Sequence, residues 1–132
     1  MAKNKYKVSP SSERKWWGHT FGSKAEMRYC QHLEELFKAG VIRDYILQPR
    51  KRLGVPENIY VPDFHIVPTP PEDGEGAMPY YVDVKGFETQ TFKKNKRLWL
   101  AYGRATLVIV KETSPHKFKV IEEIVPCWSE NS

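Results

Sequence analysis

Asp63 in the stretch VPDFHIV and Asp83 with Lys85 in YYVDVKG are the residues whose types and spacing could do chemistry. Both stretches are rich in β-branched and aromatic residues and read as strands, in which side chains alternate with period 2. Tyr81, Asp83 and Lys85 then share one face, and Tyr80, Val82 and Val84 the other. If the two strands are neighbours joined by a long loop, Asp63 faces Asp83. Two converging carboxylates offer hard oxygen ligands to Mg²⁺ or Mn²⁺, and without an ion their repulsion is costly. Such an ion polarises a phosphate and acidifies water, while a lysine beside it offsets developing negative charge. The bland alternative is a salt bridge on a solvated strand face, worth on the order of 0–1 kcal/mol.

The elements that must position these residues follow from periodicity. Ser23 opens a helix over about 23–39, with Ala25, Tyr29, Leu33, Leu36 and Phe37 at helical spacing and Gly40 as its stop. VIRDYILQPRKRL (41–53) and ENIYVPDFHIV (57–67) read as paired strands across a Gly-Pro turn, with Pro62 implying an edge or a bulge. PTPPEDGEGAMP (68–79) is a loop, and YYVDVKG is the third strand of an antiparallel meander. A second helix is expected from about Thr89 to Tyr102, stopped by Gly103, and ATLVIV (105–110) is a buried strand. KFKVIEEIV (117–125) fits a last strand or a short helix. The order α-β-β-β-α-β predicts an α/β fold, a mixed central sheet flanked by helices.

At 132 residues the chain suits one compact domain, expected over 21–132 after a basic N-terminal arm, 1–20, whose Trp16 and Trp17 dock on the core or meet a partner. A net charge of +5 suits a polyanionic partner, though it also fits mere solubility. Cys30 and Cys127 are expected as reduced thiols, because no spacing suggests zinc or a disulfide scaffold. The N-terminal stretch lacks the apolar core of a signal peptide, and no apolar run approaches a membrane span. A soluble cytoplasmic protein without membrane contact is the expectation.

Pro62-Asp63, a spacer, then Asp83-x-Lys85 resembles the signature of the PD-(D/E)xK nuclease superfamily. With FGSKAEMRYCQHLEELFKAGVIRDYILQP before these segments and a basic helix after them, residues 20 to 110 resemble small phage-encoded nuclease proteins related to Holliday-junction resolvases. The resemblance implies a restriction-endonuclease-like core and a Mg²⁺- or Mn²⁺-dependent DNA endonuclease of phage or prophage DNA metabolism, acting in a bacterial host on duplex or branched DNA. It implies Asp63, Asp83, Lys85 and Glu26 as catalytic residues, with the Val84 carbonyl as a further metal ligand beside Asp63, Asp83 and Glu26. Symmetric cutting of a junction would require a homodimer with two such sites.

Several residues admit two readings. Glu26 is the helical acid that completes the metal site, or the Glu of a capping box begun by Ser23. His65 shares a face with Asp63 and is an accessory base or phosphate contact, or a structural hydrogen-bonder. Gln48 is a polar residue near the metal by the same resemblance. Lys93, Lys94, Lys96 and Arg97 on the second helix grip a nucleic-acid backbone or form a solvated face. The competing functions are a nuclease fold that binds nucleic acid or protein without cutting, and a nuclease that acts on RNA.

Overall fold

The computed structural model describes residues 15–55, 57–72, 78–86 and 89–126. Ser23 caps helix α1 (Lys24–Lys38), its hydroxyl accepting from the Glu26 N–H at 3.1 Å. Tyr29, Cys30 and Leu33 form the buried stripe of α1. Gly40, at φ +77°, turns the chain where a side chain would be strained and sends it into β3 (Ile42–Leu47).

Each of the two long strand runs is broken in two. After β3, Gln48 takes φ +50° before Pro49, and β4 (Lys51–Arg52) leaves the main sheet to pair with β5 (Ile59–Tyr60) in a separate ribbon. Pro62, with no N–H to give a ladder, occupies the corresponding break before β6 (Phe64–Pro68). β6 pairs with β3 on one side and β7 on the other, so Pro62 marks a break beside an interior strand rather than a sheet edge.

β7 (Tyr80–Val84) is antiparallel to β6, with His65 opposite Tyr81 and Phe64 opposite Val82. The chain then crosses over through helix α2 (Gln90–Tyr102), capped by Thr89, whose hydroxyl accepts from the Phe92 N–H at 3.0 Å. It returns as β8 (Leu107–Ser114), parallel to β7 as a helical crossover permits. The segment that fitted strand or helix is β9 (Lys117–Ile124), a hairpin partner of β8 across Pro115-His116, where His116 has φ +65°. The main sheet has the order β3-β6-β7-β8-β9.

Alternation in β7 and β8 divides the core between two faces. Phe64, Ile66, Val82, Val84 and Val110 pack with Tyr29, Cys30 and Leu33 of α1. Tyr81, Leu107 and Ile109 pack with Phe92 and Trp99 of α2. Trp99 is fully buried and donates from Nε1 to the Ala105 carbonyl at 2.8 Å, which satisfies its one polar atom.

The last residues of the expected arm form a hairpin, strands β1 (Lys15–Trp16) and β2 (His19–Thr20), while 1–14 lie outside the described residues. Trp16 packs against the α1-side core, whereas Trp17 stacks on Trp16 and is 70% exposed. Cys30 is a buried free thiol, and Cys127 lies outside the described residues. Among the described residues no helix is long and apolar enough to cross a membrane.

Candidate functional site

The break at Pro62 frees the backbone of Asp63 from the ladder and places it beside the end of β7. There the two aspartates hold each other's chain. The Asp63 N–H donates to Asp83 Oδ1 at 2.9 Å, and the Val84 N–H donates to Asp63 Oδ2 at 2.7 Å. The bend at Gln48 serves the same junction, since its N–H donates to the Asp63 carbonyl at 2.9 Å. Asp63 and Asp83 thus converge, as their strand context predicts.

Lys85 lies one residue past β7, where its N–H donates to the Val110 carbonyl at 2.9 Å. Its ammonium stands 3.4 Å from Asp83 Oδ2 and 4.1 Å from the centre of the Phe92 ring, a cation–π position that steadies it. Glu26 stands both at the start of α1 and beside the two aspartates. Its N–H caps against Ser23, and its carboxylate accepts from the Gly22 N–H at 3.3 Å, one residue before the usual capping-box partner. A Cβ on Gly22 would stand 2.9 Å from Glu26 Oε1, so glycine leaves room for that carboxyl. Glu26 also lies close enough to Asp63 and Asp83 for their charges to raise its proton affinity.

Burial dominates the electrostatics. Asp83 is 1% exposed, and desolvation pushes its carboxyl up to about 6 against the opposing pull of Lys85 and the Asp63 N–H. Asp63 is pushed up to about 6 by the same cause, opposed by the Val84 N–H and Lys85. Glu26 goes further, to about 8, through burial first and then the charge of Asp63. The protein has gathered three acids where their charged forms are costly, with one lysine to offset them.

Among the described residues no three His, Cys, Asp or Glu side chains stand in ready metal-ligand geometry. Asp63, Asp83 and Glu26 each turn an oxygen toward a backbone N–H. Yet Asp83 Oδ2 is buried and accepts no hydrogen bond, with the Lys85 ammonium at 3.4 Å as a loose counter-charge. A buried carboxylate oxygen left this way is costly unless a cation meets it. The donor set is all oxygen and suits a hard divalent ion.

The other predicted residues are dispersed. His65 lies one ladder row away, its ring 4.6 Å from that of Tyr81, and burial with the nearby Lys51 lowers its proton affinity. Gln48 reaches the site through its backbone, and its side chain is exposed. Lys96 pairs with Glu122 at 2.9 Å and lies over Phe92. Lys93 and Arg97 border a groove shared with Glu122 and Glu123, so that face is of mixed charge, and Lys94 is exposed. Trp99, which the sequence places among these basic residues, belongs to the core. A basic group that sequence reasoning passed over is Arg50, Lys51 and Arg52, for which the run RKR between Pro49 and Leu53 was the available signal.

Comparisons of the chain with protein-family models, with curated proteins and with solved structures each return no match.

Proposed function

We propose that this protein is a metal-dependent DNA endonuclease of the PD-(D/E)xK type, hydrolysing phosphodiester bonds at the junction of β6 and β7. The observation that carries the reading is the reciprocal lock between Asp63 and Asp83, which leaves Asp83 Oδ2 buried without a hydrogen bond beside Lys85. The two N–H bonds would suffice for a structural lock, which has no need of a third acid and a lysine beside them. The antiparallel run β3-β6-β7, the crossover through α2 and the parallel β8 are the order expected of a restriction-endonuclease-like core, and support the same assignment.

Asp63, Asp83 and Glu26, with the Val84 carbonyl by resemblance, would hold Mg²⁺ or Mn²⁺. Such an ion supplies Lewis-acid polarisation of the phosphate and acidifies water. The chain's own part begins with Lys85, whose ammonium is poised on Phe92 to meet the charge that grows on the phosphoryl oxygens. Glu26, the most proton-avid of the three acids in the metal-free protein, would have to give up its proton to hold the ion. The lock fixes Asp63 and Asp83 through main-chain N–H groups, so neither must be ordered when substrate arrives.

A second reading, a nuclease fold that binds nucleic acid without cutting, is favoured by the absence of ready metal-ligand geometry among the described residues. Cleavage of supercoiled plasmid and of a four-way junction, with Mg²⁺, Mn²⁺ or chelator and with Asp83→Ala alongside, separates the two. Metal-dependent cutting that disappears in the variant is expected. Wild-type protein that binds both DNAs yet cuts neither would leave the binding reading in its place.

A further inference from the structure

On the α2 face of the sheet, a cleft of about 620 Å³ opens between the β4-β5 ribbon and the end of α2. Arg50, Lys51, Arg52 and Arg104 line it, and among the described residues none of them makes an ion pair. Four basic residues around one concavity give it a positive potential that an anion would relieve. The cleft also carries an aromatic ring. Tyr102 is 52% exposed, and its ring lies against Gly54, where a Cβ would stand 2.9 Å from it. Gly54 has φ +86°, so glycine serves both the turn and the close approach. The ring is thereby braced on one side and open on the other.

The cleft lies near the acidic site. The Lys51 ammonium stands 5.2 Å from the centre of the Tyr81 ring, which lies against His65, and Tyr81 precedes Asp83 by two positions on the same face of β7. Two residues of strand span about 7 Å.

We infer that this cleft binds an unpaired nucleic-acid strand flanking the bond to be cut. Arg50, Lys51, Arg52 and Arg104 hold its phosphates, and Tyr102 stacks on one of its bases. A braced, exposed ring beside a row of free cations is the combination that single-strand binding requires, because phosphates supply the affinity and any base offers a stacking face. A base inside a duplex is already stacked on both faces and cannot lie on Tyr102, so a strand with unpaired residues is favoured over continuous duplex. The inference deepens the nuclease reading and rests on it for the position of the cut, though not for the binding itself.

The test is binding of a fluorescein-labelled single-stranded DNA oligonucleotide, followed by anisotropy in chelator across a salt series, beside duplex of the same sequence. Wild-type protein is expected to prefer the single strand. Arg50→Gln with Arg104→Gln should flatten the slope of log K against log salt by about 1.4, since each phosphate contact on a single strand contributes about 0.7. Tyr102→Ala should weaken binding by roughly 5- to 150-fold, with Tyr102→Phe close to wild type. Thermal melts identify any variant that fails to fold, and the salt slope of Arg50→Gln with Arg104→Gln decides if Tyr102→Ala is lost in that way. Equal or tighter binding of duplex, or cleft variants that bind like wild type, would overturn the inference. Metal-dependent cutting of plasmid by wild type in that case leaves the nuclease reading standing. Cleft-dependent binding by a protein that cuts nothing would retain the cleft and remove the nuclease.

Discussion

Asp83→Asn separates a site built for a cation from a structural lock, because it removes the charge and keeps the shape. The asparagine Oδ1 can still accept from the Asp63 N–H, the 2.9 Å bond that ties the two segments. What it loses is a carboxylate whose proton affinity burial has raised from 3.8 to about 6, a cost to the charged form of about 3 kcal/mol. Part of that gain is offset, since the new amide meets the Lys85 ammonium now 3.4 Å from Asp83 Oδ2. A net stabilisation of the metal-free protein by about 1 kcal/mol is expected above pH 6, or about 3–5 °C in Tm. The sign follows from linkage. A carboxyl whose folded value is raised favours the fold at low pH and loses that contribution as pH rises through about 6. The stability of the variant relative to wild type should therefore rise as pH goes from about 4 to 7. Asp83→Ala shares that pH dependence but also removes the acceptor and strands the Asp63 N–H, so it should lie about 1–3 kcal/mol below Asp83→Asn across the range. The assay is thermal unfolding in chelator from pH 4 to 8, repeated with Mn²⁺, which should stabilise wild type alone. If Asp83→Asn is as damaging as Asp83→Ala across the range, the charge holds the fold and the cation-site reasoning fails.

Other outcomes follow from the same geometry. Because Glu26 rises to about 8 and Asp63 to about 6, Mn²⁺ must displace protons to bind at acid pH, so its stabilisation of the wild type should be larger at pH 8 than at pH 5 by thermal shift. Gly22→Ala should push aside the Glu26 carboxyl, which a Cβ would meet at 2.9 Å, and reduce the Mn²⁺ response while changing stability by only about 0.5 kcal/mol. Glu112 forms a two-pronged pair with Arg28, and this hydrogen bonding lowers its proton affinity. Glu112→Gln should therefore cost about 1 kcal/mol at neutral pH in urea titrations, a loss that disappears as pH falls below the ordinary carboxyl range. Trp99→Ala should cost about 3–5 kcal/mol by the same measurement, since a fully buried ring and its bond to Ala105 are both removed.

Much of the architecture was legible along the chain because local chemistry and global fold agree. Ser23, Thr89, Gly40 and Gly103 bound the two helices within a residue of where capping rules place them. The meander and the final parallel strand follow from β-rich runs and the helical spacing between them. Less legible was the splitting of both long strand runs. Pro49 and Pro62 announce a disturbance, but only pairing partners decide whether a strand bulges, ends or changes sheets. The last strand was ambiguous for a similar reason, since KFKVIEEIV becomes β9 by pairing with β8 across the turn at His116.

The sequence by itself determined which residues could do chemistry, because residue type and strand alternation are local properties. Asp63, Asp83 and Lys85 stand out for that reason, and Glu26 for its place in the first turn of a helix. Only the tertiary structure decided how they meet. The exchange of N–H groups between Asp63 and Asp83, the seating of Lys85 on Phe92 and the burial that raises three carboxyls depend on segments far apart in the chain. The same holds for the basic cleft, where Arg50 and Arg104 converge although 54 positions separate them in the sequence. Charge runs can be read from the chain, but the concavity that gives them a ligand exists only once a ribbon and a helix end are packed together.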